Sequence, residues 1–247
     1  EKYLYNYKDF IPYGIEDFHY IVGTHSWNEY VYSEIITKCK IKNIKKKNAN
    51  KILDNSEFNE TYKRLTFEKH NFKGKAYLTI LNIFSNFNKK KDYLIFDTYL
   101  KKKDELNLNL KLNKNPIILK PPSFKDVINI VSQDKNLSSQ RNYTFNKKFK
   151  NFKEFIEKFI IQNIPKTYLE DFTKINNFAK KLNLPEKPKV IFTTRGINRS
   201  TLLDNYIASK VVKGSKLLIA QHGGNYGQHK GHWGSKHELK MSDKFIS

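Results

Sequence analysis

The chain of 247 residues contains little of several residue types, and each shortage excludes a class of protein. Its single cysteine, Cys39, cannot form an internal disulfide, and no Cys-x-x-Cys pair is present to build a thiolate zinc site. Both features are typical of a reducing compartment, so we expect a cytoplasmic protein. No apolar run approaches the roughly 18 residues of a membrane-spanning helix. No repeat of fixed period occurs, which argues against a solenoid.

Arginine is also scarce, although the chain is strongly basic. Lysine and arginine number 46 against 24 acidic residues, a formal net charge of +22, but only four of the 46 are arginines. A composition rich in lysine and asparagine is what an AT-rich genome encodes by default. We therefore expect a solvated lysine surface and no nucleic-acid partner. A non-catalytic nucleic-acid-binding module stays an alternative, because a charge of this size also fits binding to phosphates.

The first portion of the chain, residues 1–148, is predicted as an aromatic- and lysine-rich α/β segment. Apolar residues at helical spacing predict a helix within 24–40 that Thr24 or Ser26 begins. Further helices are predicted at 75–88 and at 123–133, where Ser-x-x-Asp is typical of a capped start. The run at 91–100 has a continuous apolar core bounded by charge, which is typical of a buried strand in a parallel sheet.

The second portion, residues 149–247, shows clearer periodicity. Two amphipathic helices are predicted at 149–164 and 166–184, each followed by proline. A strand at 189–194, a helix at 202–214 that stops at Gly214, and a strand at 215–221 then form a βαβ unit. The sequence therefore predicts the α/β class, with a Rossmann-like parallel sheet flanked by helices and one domain formed by both portions.

The segment 221–243 follows the second of these strands and carries the candidate chemistry. Gln221 and His222 lie where the strand ends, which is where open α/β sheets bind ligands. An imidazole there is suited to act as a general base or to bind phosphate, although a structural histidine would have the same spacing. Gly223 and Gly224 would permit positive φ angles and a close approach of backbone N–H groups to an anion.

Further side chains around this segment are candidates of less specific kinds. Glu238 and Asp243 are the nearest carboxylates, and could orient a histidine or accept sugar hydroxyls. Arg195 and Arg199, after the first strand of the βαβ unit, could clamp a phosphate or simply face solvent. We expect no metal, because the flexible spacing of His229, His232 and His237 does not fix a zinc geometry. Trp233 is interpreted as a packing residue rather than a sugar platform.

These residues resemble a transferase family found in O-antigen and surface-polysaccharide gene clusters of bacteria. The likeness is carried by KPKVIFTT, by DNYIASKVVKGSKLL, and by AQHGGNYG followed by HELKMSDKF. In that family a strand leads into Gln-His-Gly-Gly-x-Tyr-Gly, and a Glu and an Ile-Ser-Asp-like segment follow. Here the motif residues are Gln221, His222, Gly223, Gly224, Tyr226 and Gly227, and Met241-Ser242-Asp243 matches the later segment.

The resemblance implies the N-terminal half of a type-B glycosyltransferase-like fold, and a fragment that would be inactive alone. It implies transfer of a sugar from a nucleotide-sugar donor, with no cofactor, to a glycan or lipid-linked acceptor. His222 would be general base or phosphate ligand, with Glu238 or Asp243 orienting the reactants. The alternative enzyme is a polymer phosphotransferase of the glycerol-phosphate type. Lysines would favour peripheral contact with the anionic inner membrane.

Overall fold

The computed structural model describes residues 11–39, 86–114, 117, 122, 124–130, 149, 151–224, 226–228 and 233–247. Within these ranges there are eight α-helices, two 3₁₀ helices and four strands. The helices are α1 Ile15–Ile21, α2 His25–Lys38, α3 Lys102–Asn113, α4 Phe124–Ile130, α5 Phe152–Asn163, α6 Phe172–Ala179, α7 Thr201–Val211 and α8 Trp233–Met241. The strands are β1 Tyr93–Ile95, β2 Val190–Thr193, β3 Lys216–Ala220 and β4 Lys244–Ile246. The 3₁₀ helices are Asn86–Lys90 and Lys166–Tyr168.

The chain divides into two compact units that are interleaved along the sequence. In described residues, one unit contains 11–39, 124–130, 149 and 151–175. The other contains 86–114, 117, 122 and the described residues from 176 onwards. The predicted portions 1–148 and 149–247 thus each supply segments to both units. We call the unit that contains 86–114 and the described residues from 176 onwards the sheet unit.

The sheet unit is built on four strands in the order β1-β2-β3-β4, and all three neighbouring pairs are parallel. Leu94, Ile191, Leu217 and Ile219 from the strands are almost completely buried. Side chains of α7, among them Leu203, Tyr206 and Ile207, pack against them. The continuous apolar runs that predict buried strands in the sequence therefore supply the residues of the core.

The ends of α7 show why the βαβ unit turns where it does. Gly214 has φ +99°, a left-handed conformation that a side chain would disfavour, and it follows the last turn of the helix. The hydroxyl of Ser215 then donates to the carbonyl of Pro188 at 2.6 Å, next to the start of β2. From α7, the Tyr206 hydroxyl donates to the carbonyl of Pro185 at 2.6 Å. These bonds fix the helix and β3 against the segment that enters β2.

The other unit is held by a cluster of aromatic side chains. Trp27 and Tyr30 of α2 pack on Phe155 and Phe159 of α5 together with Ile21 and Phe149. The ring centroids of Tyr30 and Phe159 lie 5.6 Å apart. The Tyr30 hydroxyl donates to Oδ1 of Asn163 at 3.2 Å, and burial raises the pKa of this phenol. Aromatic residues at helical spacing, visible in the sequence, are thus the core of this unit.

The structure confirms the α/β class and the Rossmann-like parallel sheet flanked by helices. The predicted helix at 24–40 corresponds to α2, which Thr24 caps by accepting a hydrogen bond from the Trp27 N–H. The predicted helix at 75–88 lies outside the described residues except for 86–88, which begin a 3₁₀ helix. Helices α1, α3 and α8 were not predicted. Among the described residues, no helix combines the length and apolar character needed to cross a bilayer.

Candidate functional site

The carboxyl ends of three neighbouring strands bring polar side chains to one edge of the sheet. Asp97 and Tyr99 follow β1, Arg195 follows β2, and His222 follows β3. Because the strands are parallel, these segments leave the sheet at the same edge. The rings of Tyr99 and His222 have centroids 6.4 Å apart, although β2 lies between their strands. The loop after β1 therefore reaches over the end of β2 towards the imidazole.

His222 is connected to Glu238 through the hydroxyl of Tyr226. The Tyr226 oxygen lies 2.9 Å from Nδ1 of His222, and it donates to Oε2 of Glu238 at 2.7 Å. The other carboxylate oxygen, Oε1, lies 3.6 Å from His222 Nδ1. The His222 side chain is 33% exposed and that of Glu238 is 13% exposed. The imidazole thus lies at the surface and the carboxylate behind it.

The hydrogen bonds of this cluster bear on the tautomer of the imidazole, whose Nδ1 is nearer to the Tyr226 oxygen than Nε2 is, at 2.9 Å against 3.4 Å. A phenol has one proton, and an ionised carboxylate can only accept. When Tyr226 donates its proton to Glu238, its oxygen accepts from Nδ1–H of His222. A neutral imidazole protonated at Nδ1 carries its lone pair at Nε2. The arrangement therefore favours the tautomer that can accept a proton at Nε2, with a carboxylate nearby to stabilise the charge that results.

Tyr226 is held in place by packing as well as by hydrogen bonds. Its ring stacks on Phe245 of β4, with centroids 5.6 Å apart and an interplanar angle of 21°. Burial raises the pKa of the Tyr226 phenol, and the hydrogen bond to Glu238 and the charge of that carboxylate raise it further. The phenol consequently stays protonated at neutral pH and acts as a fixed bridge.

Arg195 supplies the positive charge at this edge. Its guanidinium lies 3.2 Å from Oδ1 of Asp97 and 5.0 Å from the centre of the Tyr99 ring. The hydrogen bond to Asp97 and the charge of that carboxylate raise the pKa of Arg195. The carbonyl of Asp97, a residue with φ 46°, accepts from the Thr194 hydroxyl at 2.6 Å. The loops after β1 and β2 are thereby joined around the arginine.

The backbone after β2 is closely packed. A Cβ placed on Gly196 would lie 2.1 Å from the Phe96 ring and 2.5 Å from the Thr193 hydroxyl, a separation that no real side chain tolerates. The Gly196 N–H also donates to that hydroxyl at 2.9 Å. Glycine is therefore required here by the close approach of the two loops.

The backbone after β3 is open by contrast. A Cβ at Gly223 or Gly224 would meet nothing within 4 Å. The positive φ that glycine permits is used in this segment by Gly227, at +74°. Within the described part of the chain, neither the Gly223 nor the Gly224 N–H has an intramolecular acceptor. The Gln221 side chain donates to the Gly223 carbonyl at 2.6 Å. These two amides are available to an anion, but without left-handed backbone.

Comparison with known proteins bears on this geometry. A family model described as the LIC12162 family transferase matches residues 2–247. The chain belongs to the LIC12162 family of transferases. No curated protein and no solved structure matches it. Membership supports a transferase function, and the His222 cluster is the part of the described structure whose chemistry fits group transfer.

In this member of the LIC12162 family, the candidate residue Asp243 lies apart from His222. Asp243 precedes β4, where it pairs with Lys216 at 2.8 Å and accepts from the Leu217 N–H at 2.9 Å. That is the amino end of β3, about 16 Å from His222 at the rise of an extended strand. Arg199 is exposed in the turn before α7, and has no ion-pair partner among the described residues. The structure therefore separates Asp243 from the imidazole.

Three residues at this edge were absent from the sequence-based candidates: Asp97, Tyr99 and Phe245. A signal for Asp97 and Tyr99 was present, because both lie at the carboxyl end of the run at 91–100 that predicts the strand. Phe245 had none, since its role depends on β4 pairing beside β3. Within the described ranges, no group of three histidine, cysteine, aspartate or glutamate side chains is arranged to hold a metal. His229, His232 and the Trp233 side chain lie outside what the structure describes.

Proposed function

We propose that this LIC12162 family transferase is a glycosyltransferase of bacterial surface-polysaccharide assembly, and that His222 is its general base. It moves a sugar from a nucleotide-sugar donor to a glycan or lipid-linked acceptor. The observation that carries the proposal is the partly exposed imidazole at the carboxyl edge of a parallel sheet, linked through Tyr226 to Glu238. A base in that position can reach a hydroxyl bound above the sheet.

In the proposed step, an acceptor hydroxyl attacks the anomeric carbon of the donor sugar. Its oxygen forms a bond to that carbon while its proton passes to Nε2 of His222. The bond from the carbon to the phosphate oxygen breaks, and the nucleotide leaves with the electron pair. Glu238 lies 3.6 Å from the imidazole and stabilises the imidazolium that results. Tyr226 is a positioning residue, because it orients the ring without touching the reactants.

Two features of the same edge favour an anionic donor. Arg195 offers a guanidinium held by Asp97 and Tyr99, and planar guanidinium groups bind phosphate in a bidentate manner. Gly223 and Gly224 offer open backbone amides next to His222. Positive charge and free N–H groups would offset the charge that develops on a departing nucleotide.

The decisive experiment measures donor turnover by the purified product of the complete gene. A panel of nucleotide-activated sugars is supplied together with candidate acceptors. The released nucleotide is quantified, and the mass of the product is measured by mass spectrometry. We expect His222→Ala to reduce turnover by roughly 10²- to 10⁴-fold, the usual contribution of a positioned general base. His25→Ala is the matched control, because His25 is also paired with a glutamate, Glu29 at 3.1 Å, but lies outside the sheet unit.

The product separates the proposed reaction from its rival. A mass increment of one sugar supports glycosyl transfer. An increment of one glycerophosphate identifies a phosphotransferase and contradicts the proposal. Activity of His222→Ala within a few-fold of the unmodified protein would remove His222 from the mechanism, whatever the product.

A further inference from the structure

Tyr99 contacts both Arg195 and His222 at the carboxyl edge of the sheet. The Arg195 guanidinium lies over the Tyr99 ring, 5.0 Å from its centroid. The His222 ring lies on a tilt of 52° to it, with the two centroids 6.4 Å apart. Despite these contacts, Tyr99 is 56% exposed. Burial therefore contributes little to keeping an aromatic ring here, since more than half of the residue stays in water.

The loop that carries Tyr99 is joined to the loop after β2 at Asp97. The Asp97 carbonyl accepts from the Thr194 hydroxyl at 2.6 Å, and from the N–H groups of Thr194 and Arg195 at 3.3 Å each. Asp97 itself has φ 46°, a left-handed conformation that is uncommon for a residue with a side chain. The chain is thus held in a particular conformation two residues before the tyrosine.

The next residue, Thr98, is held by helix α3. Its N–H donates to Oε2 of Glu105 at 3.3 Å, and its hydroxyl donates to the same oxygen. Glu105 lies in the first turn of that helix. The backbone leading to Tyr99 is therefore tied at two successive residues before any ligand arrives. A side chain on a preorganised backbone loses less conformational entropy when it binds.

An exposed tyrosine ring of this kind offers a surface for the apolar face of a sugar. The faces of an aromatic ring are the negative part of its quadrupole, and the C–H groups on one face of a pyranose carry a small positive charge. Contact between the two also removes apolar surface from water. Stacking of a sugar on Tyr99 would therefore supply the burial that the protein itself does not provide.

The neighbours of Tyr99 indicate which part of the reactants it meets. In the proposed reaction, the transferred sugar is joined to the departing phosphate and is attacked by the acceptor hydroxyl. Arg195 is the proposed phosphate-binding group, and His222 is the proposed base for that hydroxyl. A ring in contact with both residues therefore lies where the transferred sugar must lie. The nucleobase is further away, because ribose and phosphate separate it from the anomeric carbon.

We propose that the ring of Tyr99 binds the sugar of the nucleotide-sugar donor and contributes to the choice of donor. The ring takes this role only if the protein transfers sugars, so the proposal rests on the proposed function. Tyr99 takes no part in the proton transfer. Its contribution is contact with the sugar ring, which the nucleotide alone cannot make.

The test compares a nucleotide-sugar with the same nucleotide without its sugar. The probes are UDP-, GDP-, dTDP- and CMP-activated sugars, each paired with its free nucleotide and measured by calorimetry on the purified product of the complete gene. Tyr99→Ala should weaken binding of the nucleotide-sugar about tenfold, the usual scale of an aromatic stacking contact. Binding of the free nucleotide should stay unchanged, because it does not reach the ring.

Two further variants sharpen the comparison. Tyr99→Phe keeps the ring and removes only the hydroxyl, so it should bind the nucleotide-sugar as the unmodified protein does. Tyr32→Ala is the matched control, because Tyr32 is a tyrosine of α2 that is 66% exposed and lies outside the sheet unit. It should leave both affinities unchanged. Circular dichroism and thermal melting establish that each variant is folded.

Three outcomes would overturn the assignment of Tyr99. The first is an equal loss of affinity for nucleotide-sugar and free nucleotide in Tyr99→Ala, which would assign the ring to the support of Arg195. The second is no loss for either ligand. The third is an equal loss in Tyr99→Phe and Tyr99→Ala, which would assign the effect to the hydroxyl.

Failure of the proposed function gives a different result. In that case the unmodified protein binds none of the nucleotide-sugars, or its product carries a glycerophosphate increment, and the role of Tyr99 is lost with it. Loss of turnover in His222→Ala, together with unchanged discrimination between nucleotide-sugar and nucleotide in Tyr99→Ala, would instead retain the glycosyltransferase and reject the sugar contact at Tyr99.

Discussion

Glu238 and Asp243 lie five residues apart in the chain, yet the structure gives them different partners at opposite ends of the sheet. Asp243 at the amino end pairs with Lys216, in the same way that Asp92 pairs with Lys189 at 2.9 Å. Glu238 meets a tyrosine hydroxyl and an imidazole instead. A lysine keeps its charge at neutral pH, so the amino-end pairs are fixed electrostatic contacts. A tyrosine and a histidine can relay or accept a proton, so only the carboxyl end has the components of acid–base chemistry.

The largest difference in turnover should appear when the carboxylate at each end is replaced by its amide in turn. We expect Glu238→Gln to lower turnover by roughly 10²-fold, because the glutamine cannot stabilise an imidazolium at His222. Asp243→Asn makes the same chemical change at the amino end and should keep turnover within about threefold, since exposed ion pairs contribute little. The measurement is kcat for the donor reaction of the proposed function. Equal losses in the two variants would erase the distinction between the ends.

A second experiment compares the two glycine-containing loops within the carboxyl end. Gly196→Ala places a methyl group against the Phe96 ring and should lower the free energy of unfolding by about 1–3 kcal/mol, the usual cost of overpacking. Gly223→Ala adds the same methyl group where nothing lies within 4 Å, and should change stability by less than about 0.5 kcal/mol. Urea denaturation monitored by fluorescence measures both. Similar stabilities would show that the loop after β2 is not closely packed.

Tyr226→Phe removes the hydroxyl that joins His222 to Glu238 and leaves the ring stacked on Phe245. We expect kcat to fall about tenfold with KM nearly unchanged, because the imidazole loses its orientation but no contact to substrate is lost. A purely structural role would instead lower the melting temperature without affecting kcat.

The control for that variant is Tyr206→Phe, which removes a hydroxyl bonded to the Pro185 carbonyl in the core. It should lower the free energy of unfolding by about 1 kcal/mol and leave kcat unchanged. If both variants affected only stability, the hydroxyl of Tyr226 would be a packing feature like that of Tyr206.

The smallest effect should be the contribution of Asp243, at the amino end, to the loss of stability at low pH. The hydrogen bond from Lys216 holds the pKa of Asp243 below its usual value, with help from the Leu217 N–H. A depressed folded-state pKa contributes stability above the unfolded pKa of about 3.9, and this contribution is lost as pH falls through the lower folded value. Unfolding measured from pH 5 down to pH 2 should therefore show a slightly shallower loss in Asp243→Asn. An identical slope would mean that the pair does not contribute.

Much of the sheet unit was predictable because its signals are local. The runs at 91–100, 189–194 and 215–221 contain β1, β2 and β3, and Gly214 stops α7 as its position predicts. Helix α3 was not predicted because its leucines alternate with asparagine and lysine, and its inward residues are the asparagines. The buried position of Asn113 depends on a hydrogen bond to Tyr93, twenty residues earlier in the chain. Helical periodicity of apolar residues cannot reveal such a contact.

The candidate site was predictable in part for the same reason. His222 follows a strand that the sequence itself indicates, so its position at the sheet edge needed no tertiary information. Both Glu238 and Asp243 were candidates, because proximity in sequence does not distinguish between them. Gly223 and Gly224 do not use the positive φ that glycine permits, which occurs in this segment at Gly227, and their contact with an anion stays a prediction. The assignment of roles to all of these residues stays a prediction.

The sequence by itself determined that apolar β-branched runs would form parallel strands and that one of them would end at His222. Local propensity and the pattern of burial are sufficient for that, because each strand is specified by its own residues. Only the tertiary structure decided which carboxylate meets the imidazole. Helix α8 and β4 place Glu238 beside Tyr226 and leave Asp243 at the far end of β3. Packing of α8 against β3 and β4 made that choice, and no spacing along the chain encodes it.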